Sequence, residues 1–162
     1  MLKTTILSAF FLSTAAFAMP QVGDQAVYDL TLTKDGQTYH AVGVEELVAT
    51  DGSRFLQRET QKMDGQPEQV SENWKDASEL VSDARADQML AQCAQAGGSP
   101  ATTTVPAGSF ATCALDVNNQ DEGGVPSGKV WLGKVPFGVV HAEVTQNGVT
   151  TLIDLRSFVE KQ

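Results

Sequence analysis

Two thiols, two imidazoles and a scatter of carboxylates are the side chains of this sequence that could do chemistry. Cys93 and Cys113 stand twenty positions apart, and the histidines are His40 and His141. A zinc site needs four ligands at paired spacing, which two cysteines and two isolated histidines do not provide. Thioredoxin-like exchange favours closely spaced cysteines, so a redox role is disfavoured too. Nucleophilic catalysis needs a hydroxyl or thiol beside an oriented base. Gly108-Ser109-Phe110 lacks the second glycine of a nucleophile elbow, and His141 sits in an alternating strand pattern, Val139-Val140-His141-Ala142-Glu143. Glu45 and Glu46 are adjacent on a strand and face opposite ways, so together they form no acid–base dyad. The run Asp116-Val117-Asn118-Asn119-Gln120-Asp121-Glu122-Gly123-Gly124 approaches the spacing of a calcium loop. It has no glycine at the sixth position and no acid at the twelfth, so it reads as a turn between strands. No nucleotide fingerprint occurs. The expectation is a protein that is not an enzyme, with no catalytic residues, no metal and no cofactor.

The elements that position these groups begin after residue 18. The first eighteen residues, MLKTTILSAFFLSTAAFA, carry Lys3, an apolar run from Ile6 to Phe11 and the small-residue triplet Ala16-Phe17-Ala18. That is the three-part pattern of a secretory signal peptide, with cleavage expected after Ala18. No segment is long and apolar enough for a membrane span. Export to a bacterial periplasm is the expected localisation. Lys3 is the one charged residue among those eighteen, so residues 19–162 carry 10 basic and 20 acidic side chains, a net charge of −10. Such a surface repels phosphate backbones and anionic headgroups, which excludes nucleic acid as a partner, and it keeps an exported chain in solution. The 144 residues suit one domain, which at that size buries about 68–70% of its unfolded surface.

Within 19–162 the punctuation is that of antiparallel hairpins. Asp35-Gly36, Asp51-Gly52, Asp64-Gly65 and Asn147-Gly148 supply the positive φ angles of tight turns. Between them, strands are expected over 26–33, 38–49, 54–62 and 69–74, and later over 129–133, 139–146 and 149–159. Tyr28, Leu30 and Leu32 share one face, and Val42, Val44 and Val48 share another with Glu46 among them. The segment 54–62, largely polar, reads as an edge or one-sided strand. Residues 82–96, SDARADQMLAQCAQA, break the pattern with helix formers and an apolar stripe of Ala86, Met89, Leu90, Cys93 and Ala94. Ser82 or Asp83 caps its start, and Gly97-Gly98 and Ser99-Pro100 end it. Too short to stand alone, this helix should lie on the concave face of the sheet.

The cysteines then find their reading. Two thiols in an exported chain favour one disulfide. Alternation from Ser109 onward puts Ala111, Cys113, Leu115 and Val117 on one side, and Cys93 belongs to the stripe of the helix that covers it. Closing that loop contributes about 3 kcal/mol on the chain-entropy estimate.

Two local patterns carry a resemblance. Val105-Pro106-Ala107-Gly108-Ser109-Phe110 is followed by Thr112-Cys113, and Trp131-Leu132 by Val135-Pro136-Phe137-Gly138-Val139-Val140. Together they resemble exported bacterial proteins with a VPAG[ST]F strand entry, which in turn resemble the LolA/LolB-like half-barrels that carry lipoproteins through the periplasm. The resemblance implies an α+β, mainly antiparallel fold, a curved meander sheet (half-barrel) wrapping one amphipathic helix. It also implies an apolar groove for a lipid, an acyl chain or a lipoprotein segment. Trp131, Phe137, Met89 and Leu90 are the groove candidates, with core or rim packing the alternative for the two aromatics. A structural envelope protein that contacts another protein and takes no small ligand is the rival reading.

Overall fold

The four Asp-Gly and Asn-Gly turns each close a hairpin. The computed structural model describes residues 19–118 and 127–161. The signal-peptide pattern in 1–18, and Asp121, Glu122, Gly123 and Gly124 of the acidic run, lie outside the described residues. The strands are β1 (Gln25–Lys34), β2 (Gln37–Thr50), β3 (Arg54–Met63), β4 (Gln69–Asp76), β5 (Ser99–Val105), β6 (Gly108–Asn118), β7 (Ser127–Gly133), β8 (Val139–Gln146) and β9 (Val149–Val159). Asp35 and Gly36 adopt φ of 50° and 77°, and Asn147 and Gly148 φ of 51° and 76°. These are the two-residue turns whose twist suits the strands they join.

Among the described residues, the nine strands form one antiparallel sheet in the order β4-β3-β2-β1-β9-β8-β7-β6-β5. Two meanders, β1–β4 and β5–β9, are thus joined along β1 and β9, and the sheet curves without closing, as a half-barrel. Residues 54–62, expected as an edge or one-sided strand, lie inside the sheet as β3, because β4 covers its outer side. The true edges are β4 and β5. The sequence pattern missed β5, where Ser99-Pro100 reads as a helix stop. Pro100 pairs with Cys113 from an edge position, where its lack of an N–H costs no ladder bond.

The helix α1 runs over Asp83–Ala91, nine residues rather than the expected 82–96. Ser82 caps it, its side chain accepting from the Arg85 N–H at 3.3 Å. Gln92 leaves helical geometry at ψ 11°, and turns carry the chain to Gly97 at φ 81°. The chain is closing on the sheet there. A Cβ on Gly98 would lie 2.5 Å from Cys113 Sγ and 2.9 Å from Cys93 Sγ, so only glycine passes the staple. Cys93 and Cys113 form the expected disulfide. The helix packs beside β6, and Lys134 of the β7–β8 connection bridges Asp83 at 3.1 Å and Asp87 at 3.2 Å. Its first turn also lies by Val135, Pro136 and Glu160, and the concave face over β1–β4 stays uncovered. Nine residues with one fully buried side chain, Ala86, give too short and polar a stripe to span the sheet.

The core gathers where the two meanders meet. Ala26, Tyr28, Val105, Val135, Val140 and Leu155 are buried together, with Phe110, Phe137 and Phe158 packed against them. The Val105–Gly108 turn folds back onto β9, where the Ala107 N–H donates to the Leu155 carbonyl at 3.1 Å. Phe110 and Phe158 meet edge to face at 6.0 Å.

Candidate functional site

The part of the concave face that α1 leaves uncovered forms a cavity of about 480 Å³. Its walls follow from strand register. Tyr28 lies opposite Gly43, Leu30 opposite Ile153, and Leu32 opposite Thr151. Glu45 lies opposite Glu59, Gly43 opposite Gln61, and these continue to Ser71 and Gln69 on β4. One wall, on β1 and β9, is thus apolar, with Tyr28, Leu30, Leu32 and Ile153, and Val139 adjoins it. The other, on β3 and β4, carries Glu59, Gln61, Gln69 and Ser71. Gly43 stands between them, and its missing side chain leaves the room that any larger residue would fill toward Leu30.

Register also decides which face of β2 is concave. Val42, Val44 and Val48 do not supply its concave face. That face carries Ala41, Gly43, Glu45 and Leu47, because Tyr28 pairs with Gly43 and not with a valine. Side chains alternate strictly along a strand, so one residue of register exchanges the whole apolar set for the polar one.

The carboxylates gain a partner that sequence reasoning missed. Glu45 and Glu46 do face opposite ways, but Glu45 meets Glu59 across the ladder. Burial, reinforced by the Glu59 charge and partly offset by Lys75, raises the Glu45 carboxyl to about 7. Tyr28 is buried, and its hydroxyl has no hydrogen-bond partner. Burial, together with the Glu45 charge, pushes its phenol above the usual range.

The elevated Glu45 pKa has a consequence for stability. A carboxyl raised in the folded state binds more protons there than in the unfolded chain, so stability falls as pH rises from about 4.5 to about 7. Glu45→Gln is therefore expected to stabilise the protein at pH 8 by on the order of 2 kcal/mol, since Glu45 is only partly exposed. The two proteins should converge near pH 4. Urea denaturation at both pH values measures this, and an equal difference at the two would show that Glu45 is not the group responsible.

None of the four groove candidates lines this cavity. Trp131 pairs with His141 on the opposite face, their rings 4.6 Å apart, because its neighbour Val130 takes the concave position opposite Ala142. Phe137 sits at φ 63° in the β7–β8 turn and packs against the core. Met89 and Leu90 are half-buried on α1, which lies beside β6. His141 Nδ1 is 2.7 Å from Asp154 Oδ1, an oriented imidazole. Among the described residues no hydroxyl hydrogen-bonds to it. His40 is exposed, 3.4 Å from the Thr31 hydroxyl.

No family model and no curated protein matches the chain. Among solved structures it is similar to a Bacteroides fragilis protein described as exported, with a YmcC-like fold. The TM-score is 0.50 at 12% identity, over 89% of this chain and 99% of that one. It is more distantly similar to MucB in complex with MucA(peri), at a TM-score of 0.44 and 14% identity over 86% of this chain. For the Pseudomonas aeruginosa MucA/MucB complex the figures are 0.42, 12% and 85%. This chain spans about half the length of those two chains, 50% and 52%. The Bacteroides fragilis likeness concerns the fold. Among the described residues no helix is long and apolar enough to cross a membrane.

Proposed function

We propose that this chain is a non-enzymatic binding module of the bacterial periplasm whose groove holds a hydrophobic ligand, a lipid, an acyl chain or a lipoprotein segment. The cavity of about 480 Å³ on the uncovered concave face carries the reading. Fully burying a leucine or isoleucine side chain stabilises a fold by about 1.5–3 kcal/mol. A sheet with no ligand to serve gains by closing over such residues. Here Leu30, Leu32 and Ile153 stand on the wall of an open groove, within the range of about 300–1,000 Å³ typical of small-molecule sites. The signal-peptide pattern supports export, and the resemblance to LolA/LolB-like carriers supports the ligand class.

The test is native mass spectrometry of protein purified from its own periplasm. Lipid-sized adducts that survive gentle ionisation are expected, and Ser71→Trp, which sets an indole across the mouth from an exposed strand, should remove them. A clean ligand-free mass for the unaltered protein would count against a carrier.

A second reading, docking of an envelope protein, draws on β4. This strand is an edge with an unpaired outer side, and its Val70 and Trp74 are 55% and 45% exposed. Such an edge can accept an extended segment as an added strand. Under that reading a Trp74→Lys variant, at an exposed position of the edge that does not line the groove, loses partner binding while adducts in the groove persist.

A further inference from the structure

We infer that the groove selects an amphiphile with a primary ammonium head, placing the head between Glu45 and Glu59 and the aliphatic chain along Leu30, Leu32 and Ile153. This deepens the carrier reading and rests on it. The first observation is the division of the groove, an apolar wall on β1 and β9 and a polar one on β3 and β4. A ligand apolar throughout would leave the polar wall without partners, whereas an amphiphile lying across the groove satisfies both.

The sign of the head comes from charge. Glu45 and Glu59 are direct cross-strand partners on the same face, and like charges so placed are destabilising unless a proton or a cation joins them. At pH 8, above the Glu45 value of about 7, both are mainly ionised, and Lys75, near enough to act on Glu45, is one ammonium against two carboxylates, which leaves the site negative. The remaining polar group agrees. Tyr28 is 4% exposed, lines the cavity and has a hydroxyl without a partner. A buried polar atom left unpaired costs about 1–3 kcal/mol, and native folds seldom leave one so without a reason. An ammonium has three donors and no acceptor. It can donate to both carboxylates and to the phenol oxygen, whereas a carboxylate head would meet two like charges.

The experiment compares dodecylamine, dodecanoate and dodecanol by titration calorimetry at pH 8, below their aggregation concentrations. Dodecylamine is expected to bind at least about tenfold more tightly than dodecanoate. In the Glu45→Gln/Glu59→Gln double variant the two should bind within about threefold of each other. That variant keeps the other eighteen acidic residues of the sequence. A general attraction of the acidic surface for cations would therefore survive it, and the preference should not. Tyr28→Phe, which removes only the unpartnered hydroxyl, should weaken dodecylamine and leave dodecanol unchanged. Dodecanol, having no charge, reports on the groove alone. If it binds but the amine shows no preference, or if the preference persists in the double variant, the head-group assignment is wrong. If no chain binds at all, the carrier reading itself falls.

Discussion

Replacing both Cys93 and Cys113 with alanine lowers the stability of the folded protein by about 3 kcal/mol, the loop-closure entropy expected for a separation of 20 residues. For a domain of this size the melting temperature should fall by about 10 °C. The effect is large because the bond restricts the unfolded chain, and because little else ties α1 to the sheet. Both sulfurs are buried, Cys93 at 1% and Cys113 at 0% exposure. On the helix itself only Ala86 is fully buried, and its ion pairs to Lys134 are solvent-exposed and weak. Alanine is the right replacement, since serine would bury a hydroxyl in that layer. Thermal melts of the double variant and of reduced wild-type protein should coincide. A loss below about 1 kcal/mol would show that the helix is held by its packing and not by the bond. The cavity lies on β1–β4, β8 and β9, away from the staple, so ligand binding by the alanine variant should persist below its lowered melting point.

Leu155→Ala is the second large effect, with an expected cost of about 3 kcal/mol within the range of 2–5 kcal/mol for such truncations. Leu155 is fully buried and stands opposite Tyr28 where the β1–β9 ladder shifts register. Its carbonyl accepts the Ala107 N–H, so its backbone also anchors the Val105–Gly108 turn. Side chains from β1, β5, β8 and the β7–β8 turn surround it, and a sheet stapled from that many directions cannot collapse into the space an alanine would leave. Leu152→Ala is the matched control. It changes the same residue type on the same strand, but Leu152 is 36% exposed, and a change within about 0.5 kcal/mol is expected. Urea denaturation measures both. Equal losses at the two positions would mean that the core does not lie where the meanders join.

The difference between these two leucines is local, and much of the fold is legible at the same scale. The Asp-Gly and Asn-Gly pairs mark four hairpins because positive φ is a property of the dipeptide itself. Tyr28, Leu30 and Leu32 can be assigned to one face because alternation along a strand needs no knowledge of its neighbours. The cysteine pair is readable from count, compartment and alternation. The strand entry at Val105–Phe110 and the alternation after it are visible in the sequence, but their docking is not. That the Ala107 N–H finds the Leu155 carbonyl depends on how far the sheet curves.

The site was the least legible part, and the bulge in β2 shows why. The hairpin pairs Thr50 with Phe55 and Ala49 with Leu56. Counting back from that turn without interruption would set Glu45 opposite Thr60. An extra residue at Val48 shifts the register, so that Leu47 meets Gln57 and Glu45 meets Glu59. A β-bulge inserts one unpaired residue and has no fixed residue signature of its own, so the carboxylate pair could not be found by spacing. Aromatic size directed attention to Trp131 and Phe137, although size says nothing about which side of a sheet a residue occupies.

The sequence by itself determined the hairpins, the apolar face of β1, the disulfide and the acidic surface, each the result of short-range geometry or composition. Tertiary structure decided which face of β2 lines the groove, where the helix ends, and which carboxylates meet. Those outcomes depend on register and curvature accumulated over many strands, where a shift of one residue turns every later side chain to the other face.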